Sequence, residues 1–213
     1  AATILFSNGK ILAGGSTTVD IDNSILLVKY LPDGSLDASF GTNGMIVHFI
    51  NNEAFKVFGI KVQNDGKILV PYRTEENFVN KFQIARFLPT GVLDTSFGNN
   101  GIVELDSTIL VFHSTITVQD DGKILTSIRN QLGTSIIRLL PNGDFDTSFG
   151  NNGTVEIESD IFTCFKILTQ TDEKIIVFGV TFGFEPDFNR TYRLNPDGSL
   201  DNTFGTNGYT ALY

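Results

Sequence analysis

The sequence predicts an all-β protein, a β-propeller made of four-stranded antiparallel blades. Two observations predict this fold: a motif that recurs four times along the 213 residues, and four short β-patterned runs in each copy. In addition, 41% of the residues are apolar, which is enough to bury a sizeable core. We therefore treat residues 1–213 as one propeller domain.

The repeated motif is a thirteen-residue cassette, which reads PDGSLDASFGTNG in its first copy. Successive copies begin 57, 52 and 55 residues apart, and none contains a gap. The cassettes occupy residues 32–44, 89–101, 141–153 and 196–208. A shorter motif keeps in step with them, reading SNGKIL, NDGKIL, DDGKIL and TDEKII. The approximate repeats are therefore 1–54, 55–110, 111–161 and 162–213.

Each repeat contains four runs with the residue types of short strands. In the second repeat we predict strands at 56–63, 67–72, 82–88 and 102–106. Asp65-Gly66 lies between the first two strands and suits the positive φ angles of a two-residue hairpin turn, so these strands run antiparallel. The third run is apolar on both faces, which indicates that both faces of the unit are covered.

Antiparallel four-stranded units that cover one another are the blades of a β-propeller, and the observed period fits. A parallel β-helix, with short coils and no hairpins, fits poorly, and a sandwich would not repeat. Four copies either close a small ring or form part of a larger one. Closure would come from residues 209–213 pairing beside residues 3–6.

The unit DGKIL, a strand ending in Arg or Lys three residues before Pro, and PDGSLDTSFGxNG together resemble the delta-60 repeat. This resemblance covers essentially the whole chain. It implies a bacterial propeller-type protein that is secreted or held at the cell surface. It implies no reaction, cofactor or catalytic residue. One departure is Asp172-Glu173, where the turn glycine is lost.

We predict one buried ion pair in each blade, because a cation that recurs in an apolar strand is tolerated only where its charge is met. The cations are Lys29, Arg86, Arg138 and Arg193. Their predicted partners are the cassette aspartates of the same or a neighbouring repeat: Asp37, Asp94, Asp146 and Asp201. The cassette phenylalanines should be buried beside them: Phe40, Phe97, Phe149 and Phe204.

The alternative role for the cassette acids is calcium binding, since Asp33, Ser35 and Asp37 supply oxygens at alternate positions. The first of these positions becomes Thr90 and Asn142 in later copies, and an EF-hand spacing is absent. We therefore expect these aspartates to cap turns, and we predict no metal site.

The remaining reactive residue types lie at apolar positions of the repeat. His48 replaces Leu or Ile, and His113 aligns with Val57 and Cys164. We expect a half-buried histidine at His48 and a core residue at Cys164, not a nucleophile. The sequence contains no GxSxG, HExxH, CxxC or phosphate-binding GxxxxGK[ST] motif, and we predict no cofactor.

The loops between the second and third strands share no sequence among the copies, so they are the predicted contact surface. Two of these loops combine aromatic and acidic residues. The candidate binding residues are Tyr72, Glu75, Glu76, Phe78, Phe182, Phe184, Glu185 and Asp187. Exposed aromatics suit protein contact or sugar stacking, whereas the alternative is that they fold back over the blade edge.

We expect a non-enzymatic module, extracellular or at the bacterial cell surface, whose loops bind a protein at that surface or in a secretion apparatus. The alternatives are a glycan-binding propeller, which the absence of Trp disfavours, and then a glycoside hydrolase, which needs a unique carboxylate pair in a pocket. The net charge of −9 disfavours nucleic acid, and no apolar stretch is long enough for membrane insertion. Without an initiator Met or leader, we expect a mature or excised segment.

Overall fold

The strands of the chain form four antiparallel sheets, one for each sequence repeat. The computed structural model describes residues 2–19, 22–50, 54–76, 79–106, 114–130, 133–158, 162–181 and 188–212. These residues contain no helix, and hence none with the length and hydropathy to cross a membrane. The predicted all-β fold with four antiparallel four-stranded units is confirmed.

The first compact unit, Ala1–Asp106, contains two of the sheets. Neighbouring strands in each sheet run antiparallel, as in a meander. The first sheet consists of β1 (Ala2–Leu5), β2 (Ile11–Val19), β3 (Asp22–Tyr30) and β4 (Met45–Ile50). The second consists of β5 (Ala54–Val57), β6 (Lys61–Val62), β7 (Ile68–Glu76), β8 (Val79–Phe87) and β9 (Ile102–Asp106). Both β5 and β6 pair with β7, so they are two parts of the strand predicted at 56–63.

The second compact unit, Ser107–Tyr213, repeats this arrangement. The third sheet consists of β10 (Ile116–Val118), β11 (Ile124–Asn130), β12 (Gly133–Leu139) and β13 (Thr154–Glu158). The fourth consists of β14 (Phe162–Thr169), β15 (Ile175–Thr181), β16 (Phe188–Leu194) and β17 (Tyr209–Leu212). A bulge between Cys164 and Lys166 shifts the register of β14 against β15.

The two faces of each sheet can be named from the residues that follow the turn lysine, because successive strand residues point to opposite faces. We call the face with the first of these residues the rear face and the face with the second the forward face. The rear-face markers are Ile11, Ile68, Ile124 and Ile175. The forward-face markers are Leu12, Leu69, Leu125 and Ile176.

Within the first unit, the forward face of the first sheet packs on the rear face of the second. Leu12 and Leu27 from the first sheet share one buried cluster with Val70 and Phe87 from the second. The two repeats approach closely here, since a Cβ at Gly14 would lie 2.7 Å from a side-chain carbon of Ile60, which lies between residues 54–57 and 61–62 of the second sheet. Their cassettes are also joined, since the Gly41 N–H donates to the Thr90 carbonyl over 2.8 Å.

Within the second unit, the forward face of the third sheet packs on the rear face of the fourth. Leu125 and Ile136 share a buried cluster with Ile175 and Val177. The Gly150 N–H donates to the Asp197 carbonyl over 2.7 Å, at the same cassette positions as in the first unit. Forward-on-rear packing is therefore the interface between sheets in both units.

The two ends of each sheet carry different connections, because alternate connections of a meander lie at opposite ends. The β1–β2 turn and the cassette between β3 and β4 lie at one end of the first sheet, and their counterparts do so in the other three. We call this the cassette end. The opposite, variable end carries the hairpin between the second and third strands.

Each terminal strand pairs within the sheet of its own repeat. β1 pairs with β2 in the first sheet, and β17 pairs with β16 in the fourth. Each repeat supplies all four strands of its own sheet, so no sheet requires a strand from the opposite terminus. Among the described residues, no sheet is closed.

The degenerate turn of the fourth repeat generates a stability prediction. Glu173 adopts a φ of 63°, at the position where Gly66 and Gly122 have φ angles of 82° and 85°. Because a Cβ disfavours this left-handed region, Glu173→Gly should raise the free energy of unfolding by a few tenths to about 1 kcal/mol. Urea unfolding measures the change. The matched control, Gly122→Glu, should lower stability by a similar amount, and a less stable Glu173→Gly protein would contradict the assignment.

Candidate functional site

The cassette end of each sheet is organised by one buried aspartate. Its Oδ1 accepts a hydrogen bond of 2.6 Å from the hydroxyl two residues later in the cassette. The aspartate–hydroxyl pairs are Asp37 with Ser39, Asp94 with Ser96, Asp146 with Ser148, and Asp201 with Thr203. Each cassette therefore contains an aspartate side chain that closes its own turn.

The other carboxylate oxygen of each aspartate, Oδ2, binds the lysine of the β1–β2 turn or its counterpart. The Nζ to Oδ2 distances are 2.9 Å for Lys10, 3.2 Å for Lys67, 3.4 Å for Lys123 and 3.0 Å for Lys174. Sequence reasoning missed these four ion pairs. The signal was the lysine that recurs in every copy, including TDEKII, where the neighbouring glycine has been lost.

The predicted pairing with the strand cation is confirmed in three of the four sheets. The Nε of Arg86, Arg138 and Arg193 lies 2.8, 2.8 and 2.7 Å from the Oδ2 of its cassette aspartate. Each guanidinium also lies over the cassette phenylalanine ring, 4.3 to 4.6 Å from its centroid. Arg86 and Arg138 are buried, whereas Arg193 is partly exposed. The arginine thus joins the carboxylate to the aromatic core.

The prediction is wrong for the first sheet, where Lys29 takes the place of arginine. The Lys29 ammonium lies 5.4 Å from the centroids of both Phe6 and Phe40, and the ion pair of Asp37 is made by Lys10. Unlike the planar guanidinium of arginine, a lysine ammonium cannot bind a carboxylate and stack on an aromatic ring at the same time. It therefore takes the ring contacts, which a point charge can satisfy alone.

The cassette carboxylates are held in their ionised form. The hydroxyl of Ser39, and then the ammonium of Lys10, lower the pKa of Asp37 to about 2. Burial acts to raise the pKa of Asp94 and Asp146, but their hydroxyl donors and neighbouring cations outweigh it and lower both to about 2. Because these acids stay ionised at ordinary pH, they are unsuited to general acid catalysis and serve the scaffold.

The first acid of the cassette also acts in a turn. The Oδ1 of Asp33 accepts hydrogen bonds from the Ser35 N–H, at 2.9 Å, and the Ser35 hydroxyl, at 2.6 Å. The prediction that these aspartates cap turns is therefore confirmed. In the part of the chain that the structure describes, no group of three His, Cys, Asp or Glu residues is arranged to hold a metal ion.

The histidine and the cysteine lie where apolar side chains were expected. The half-buried His48 ring meets the edge of Phe87, with 5.5 Å between centroids, and burial lowers its pKa. Cys164 is buried, and burial raises the pKa of its thiol to about 12. The interpretation of Cys164 as a core residue is confirmed, since a thiol with this pKa is a poor nucleophile. His113 lies outside the described residues.

Tyr72 is not an exposed loop aromatic, which corrects the expectation from sequence. It lies in β7 on the rear face of the second sheet, is 1% exposed, and has its ring 5.6 Å from that of Phe55. The reason is that β7 continues beyond it, so that Glu75 pairs with Asn80 and Glu76 pairs with Val79. The hairpin is thus longer, and its loop shorter, than predicted.

The structure describes only two of the other candidate binding residues. Glu75 is half-buried near the variable end of the second sheet. Glu76 is the last residue of β7. Five candidates lie outside the described residues: Phe78, Phe182, Phe184, Glu185 and Asp187. Binding by these loops therefore stays a prediction.

The second unit contains a groove of about 450 Å³ between its two sheets. Arg190 lies in its lining, donates from Nη1 to the Tyr192 hydroxyl over 3.1 Å, and has its guanidinium 5.3 Å from the Tyr209 centroid. The other repeats have Leu26, Gln83 and Ser135 at the position of Arg190. Sequence reasoning missed this groove because it searched for departures among the repeats in loops, and these residues lie in strands.

A family model described as "Domain of unknown function (DUF5122) beta-propeller" matches the chain in four segments. The segments are residues 7–40, 63–97, 119–149 and 170–204. Each runs from the first hairpin turn of a repeat to its cassette phenylalanine, and together they cover more than half of the chain. A search of curated proteins gave no match.

The ion pairs generate a prediction about coupling. In a double-mutant cycle, Arg86→Met and Asp94→Asn should couple by more than about 0.5 kcal/mol in the free energy of unfolding, because either change alone strands a buried charge. Lys29→Met with Asp37→Asn is the matched control and should couple more weakly. Equal coupling energies in the two cycles would show that the contact between Arg86 and Asp94 does not stabilise the fold.

The lowered pKa of the cassette acids generates a prediction about pH. A carboxylate with a folded pKa of about 2 and an unfolded value of about 4 stabilises the fold above that unfolded value. The free energy of unfolding should therefore fall as the pH drops from about 4 to about 2. The double variant Asp94→Asn with Asp146→Asn should show a smaller loss of stability between these pH values. In Ser96→Ala, the share of the loss that is due to Asp94 should occur at higher pH, because that carboxylate loses a hydrogen-bond donor. Urea titrations across this range would contradict the assignment if wild-type stability stayed constant.

Proposed function

Since the chain belongs to the DUF5122 β-propeller family, we propose that it is a non-enzymatic module that binds a protein partner through the variable ends of its sheets. We propose that it acts outside the cell, as a secreted or surface-held bacterial protein, with its partner at that surface or in a secretion apparatus. The resemblance to the delta-60 repeat supports this location. The buried state of Cys164 is compatible with an oxidising compartment.

The proposal rests on a difference between the two ends of each sheet: one end is built from recurring residues and the other from residues that differ among the repeats. At the cassette end, the recurring charged groups bind one another and hold the turns. At the variable end, the copies differ in sequence, and the residues that the structure describes there form no ion pair that recurs in all four sheets. In a repeat protein, the shared residues build the scaffold, so a function particular to this chain belongs where the repeats diverge.

The hairpin of the second sheet shows what such a surface offers. β7 and β8 are nine residues each, longer than the neighbouring strand β9, so their tip extends the sheet at the variable end. Val79 is exposed at this tip, beside the acidic end of β7. An exposed apolar residue at the tip of a hairpin fits a partner whose surface presents an apolar spot.

Glycan binding is the second candidate, and the groove beside Arg190 favours it. The groove is lined by Tyr192 and Tyr209, which supply aromatic rings, and by Asn207, whose side-chain amide can bind hydroxyl groups; such groups bind sugars in many proteins. This candidate places the ligand within the second unit and not at the variable ends.

Capture of surface proteins from the producing bacterium tests the proposal. A loop variant combines Glu75→Ser, Glu76→Ser and Phe78→Ser. We expect it to lose about tenfold or more in affinity for the captured partner, since a few central residues dominate most interfaces. The matched control, Val92→Ser, changes an exposed apolar residue in the second cassette and should bind as wild type.

Three outcomes separate the alternatives. Wild-type affinity in the loop variant would contradict the use of this hairpin. Binding to a glycan array that is lost in Tyr209→Ala but kept in the loop variant would favour the groove. Labelling of the protein by a membrane-impermeant reagent only after cell lysis would contradict the proposed location.

A further inference from the structure

A cavity of about 400 Å³ lies between the third and fourth sheets, at the cassette end of the second unit. Its lining comes mainly from the β10–β11 turn, the β14–β15 turn and the cassettes of the two sheets. It shares no lining residue with the groove beside Arg190. Its volume is in the range of cavities that bind small ligands in proteins.

Two side chains of this lining have a buried oxygen with no hydrogen-bond partner in the part of the chain that the structure describes. Gln119 follows β10 on the forward face of the third sheet, is 7% exposed, and has its Oε1 unpaired. Thr169 ends β14 on the rear face of the fourth sheet and has its Oγ1 unpaired. Since an unpaired buried polar atom is costly, a ligand that donates hydrogen bonds to these oxygens would stabilise the protein.

The equivalent positions in the first unit are apolar. Phe6 corresponds to Gln119 and Val62 to Thr169, and both pack against the buried core of that unit. Thr169 is also the one polar residue at its position among the four repeats, where the others have Leu5, Val62 and Val118. The second unit is therefore polar at a place where the first unit is filled with apolar side chains.

Three exposed acids lie at the mouth of the cavity: Asp120, Glu173 and Asp197. Among the ion pairs between described residues, none includes these acids. Asp197 is ionised, because the hydroxyl and the N–H of Ser199 donate to its Oδ1 and lower the pKa of that carboxyl. The counterparts of the three acids in the first unit are neutral: Ser7, Gly66 and Thr90.

The two cations in the lining have partners of their own. The Lys123 Nζ lies 3.2 Å from the Asp121 Oδ2 and 3.4 Å from the Asp146 Oδ2. The guanidinium of buried Arg138 binds Asp146 and donates from Nη1 to the Pro196 carbonyl. The interior of the cavity is therefore polar, and its mouth keeps an excess of negative charge.

We propose that this cavity binds a small polyhydroxylated amine, such as an amino sugar, with its ammonium group at the acidic mouth and its hydroxyl groups inside. A hydroxyl both donates and accepts, so it can donate to the unpaired oxygens and accept from the neighbouring cations. An ammonium donates charge-assisted hydrogen bonds to carboxylates, which a neutral sugar cannot do. A metal ion does not match, since no three of the described acids, histidines or cysteines are arranged to hold one. The site is independent of the protein binding proposed for the variable ends.

Calorimetric titration with glucosamine tests this site at about pH 6, where the amine is protonated and carboxylates are ionised. Two matched ligands lack the positive charge: glucose and N-acetylglucosamine. We expect glucosamine to bind about tenfold more tightly than either, because only its ammonium can pair with the acids at the mouth. Equal binding of N-acetylglucosamine would overturn the proposal.

Two double variants test the two ends of the site separately. Gln119→Leu with Thr169→Val makes the interior apolar, as in the first unit, and Asp120→Asn with Glu173→Gln removes charge from the mouth. Each should weaken glucosamine binding about tenfold or more. Asp172→Asn removes an acid of the same turn that lies outside the lining, and it should bind as wild type. Thermal unfolding without ligand checks that each variant is folded.

Three further results would overturn the proposal. The first is wild-type affinity for glucosamine in either double variant, since the altered groups would then not contact the ligand. The second is a wild type that binds no glucosamine. The third is binding of a glucosamine oligomer but not of the monomer, which would favour a polysaccharide chain instead of a small amine.

Discussion

Each sheet depends on one buried carboxylate, which in three of the four sheets is shared by three segments of its repeat. In the second sheet, Asp94 receives the turn lysine before β7, the arginine at the end of β8 and the hydroxyl of its own cassette. An ionised carboxylate buried without these partners would strongly destabilise the fold. The network is therefore complete only in the strand register that brings Lys67 and Arg86 to the same oxygen, and it specifies the pairing as well as stabilising it.

Much of the fold could be predicted because the same sequence pattern occurs four times in the chain. Arg86 was identified as half of an ion pair because a cation in an apolar strand needs a partner. Lys67 was missed because a lysine beside a turn can be satisfied by water, so its recurrence was the only signal. Tyr72 was misplaced because Arg73 and Glu75 looked like loop residues. Buried Thr74 shows that they alternate with core positions of a strand.

Less of the candidate site could be predicted. Repetition identifies what the copies share, whereas the groove beside Arg190 depends on residues that occur in a single copy and meet across two sheets. Their approach depends on tertiary packing, which no local pattern reports. The pairing suggested between the chain termini is a different case. Counting strands in each repeat shows that a sheet is already complete, so pairing between the termini was not needed to supply one.

The self-sufficiency of each sheet has a consequence for how such a gene can evolve. Every repeat encodes its own four strands and its own aspartate network, and no described sheet borrows a strand from another repeat. Recombination that duplicates or deletes one whole repeat leaves every remaining hydrogen-bonded sheet intact. The protein can thus change length in steps of one repeat, and selection then acts only on how the new neighbours stack.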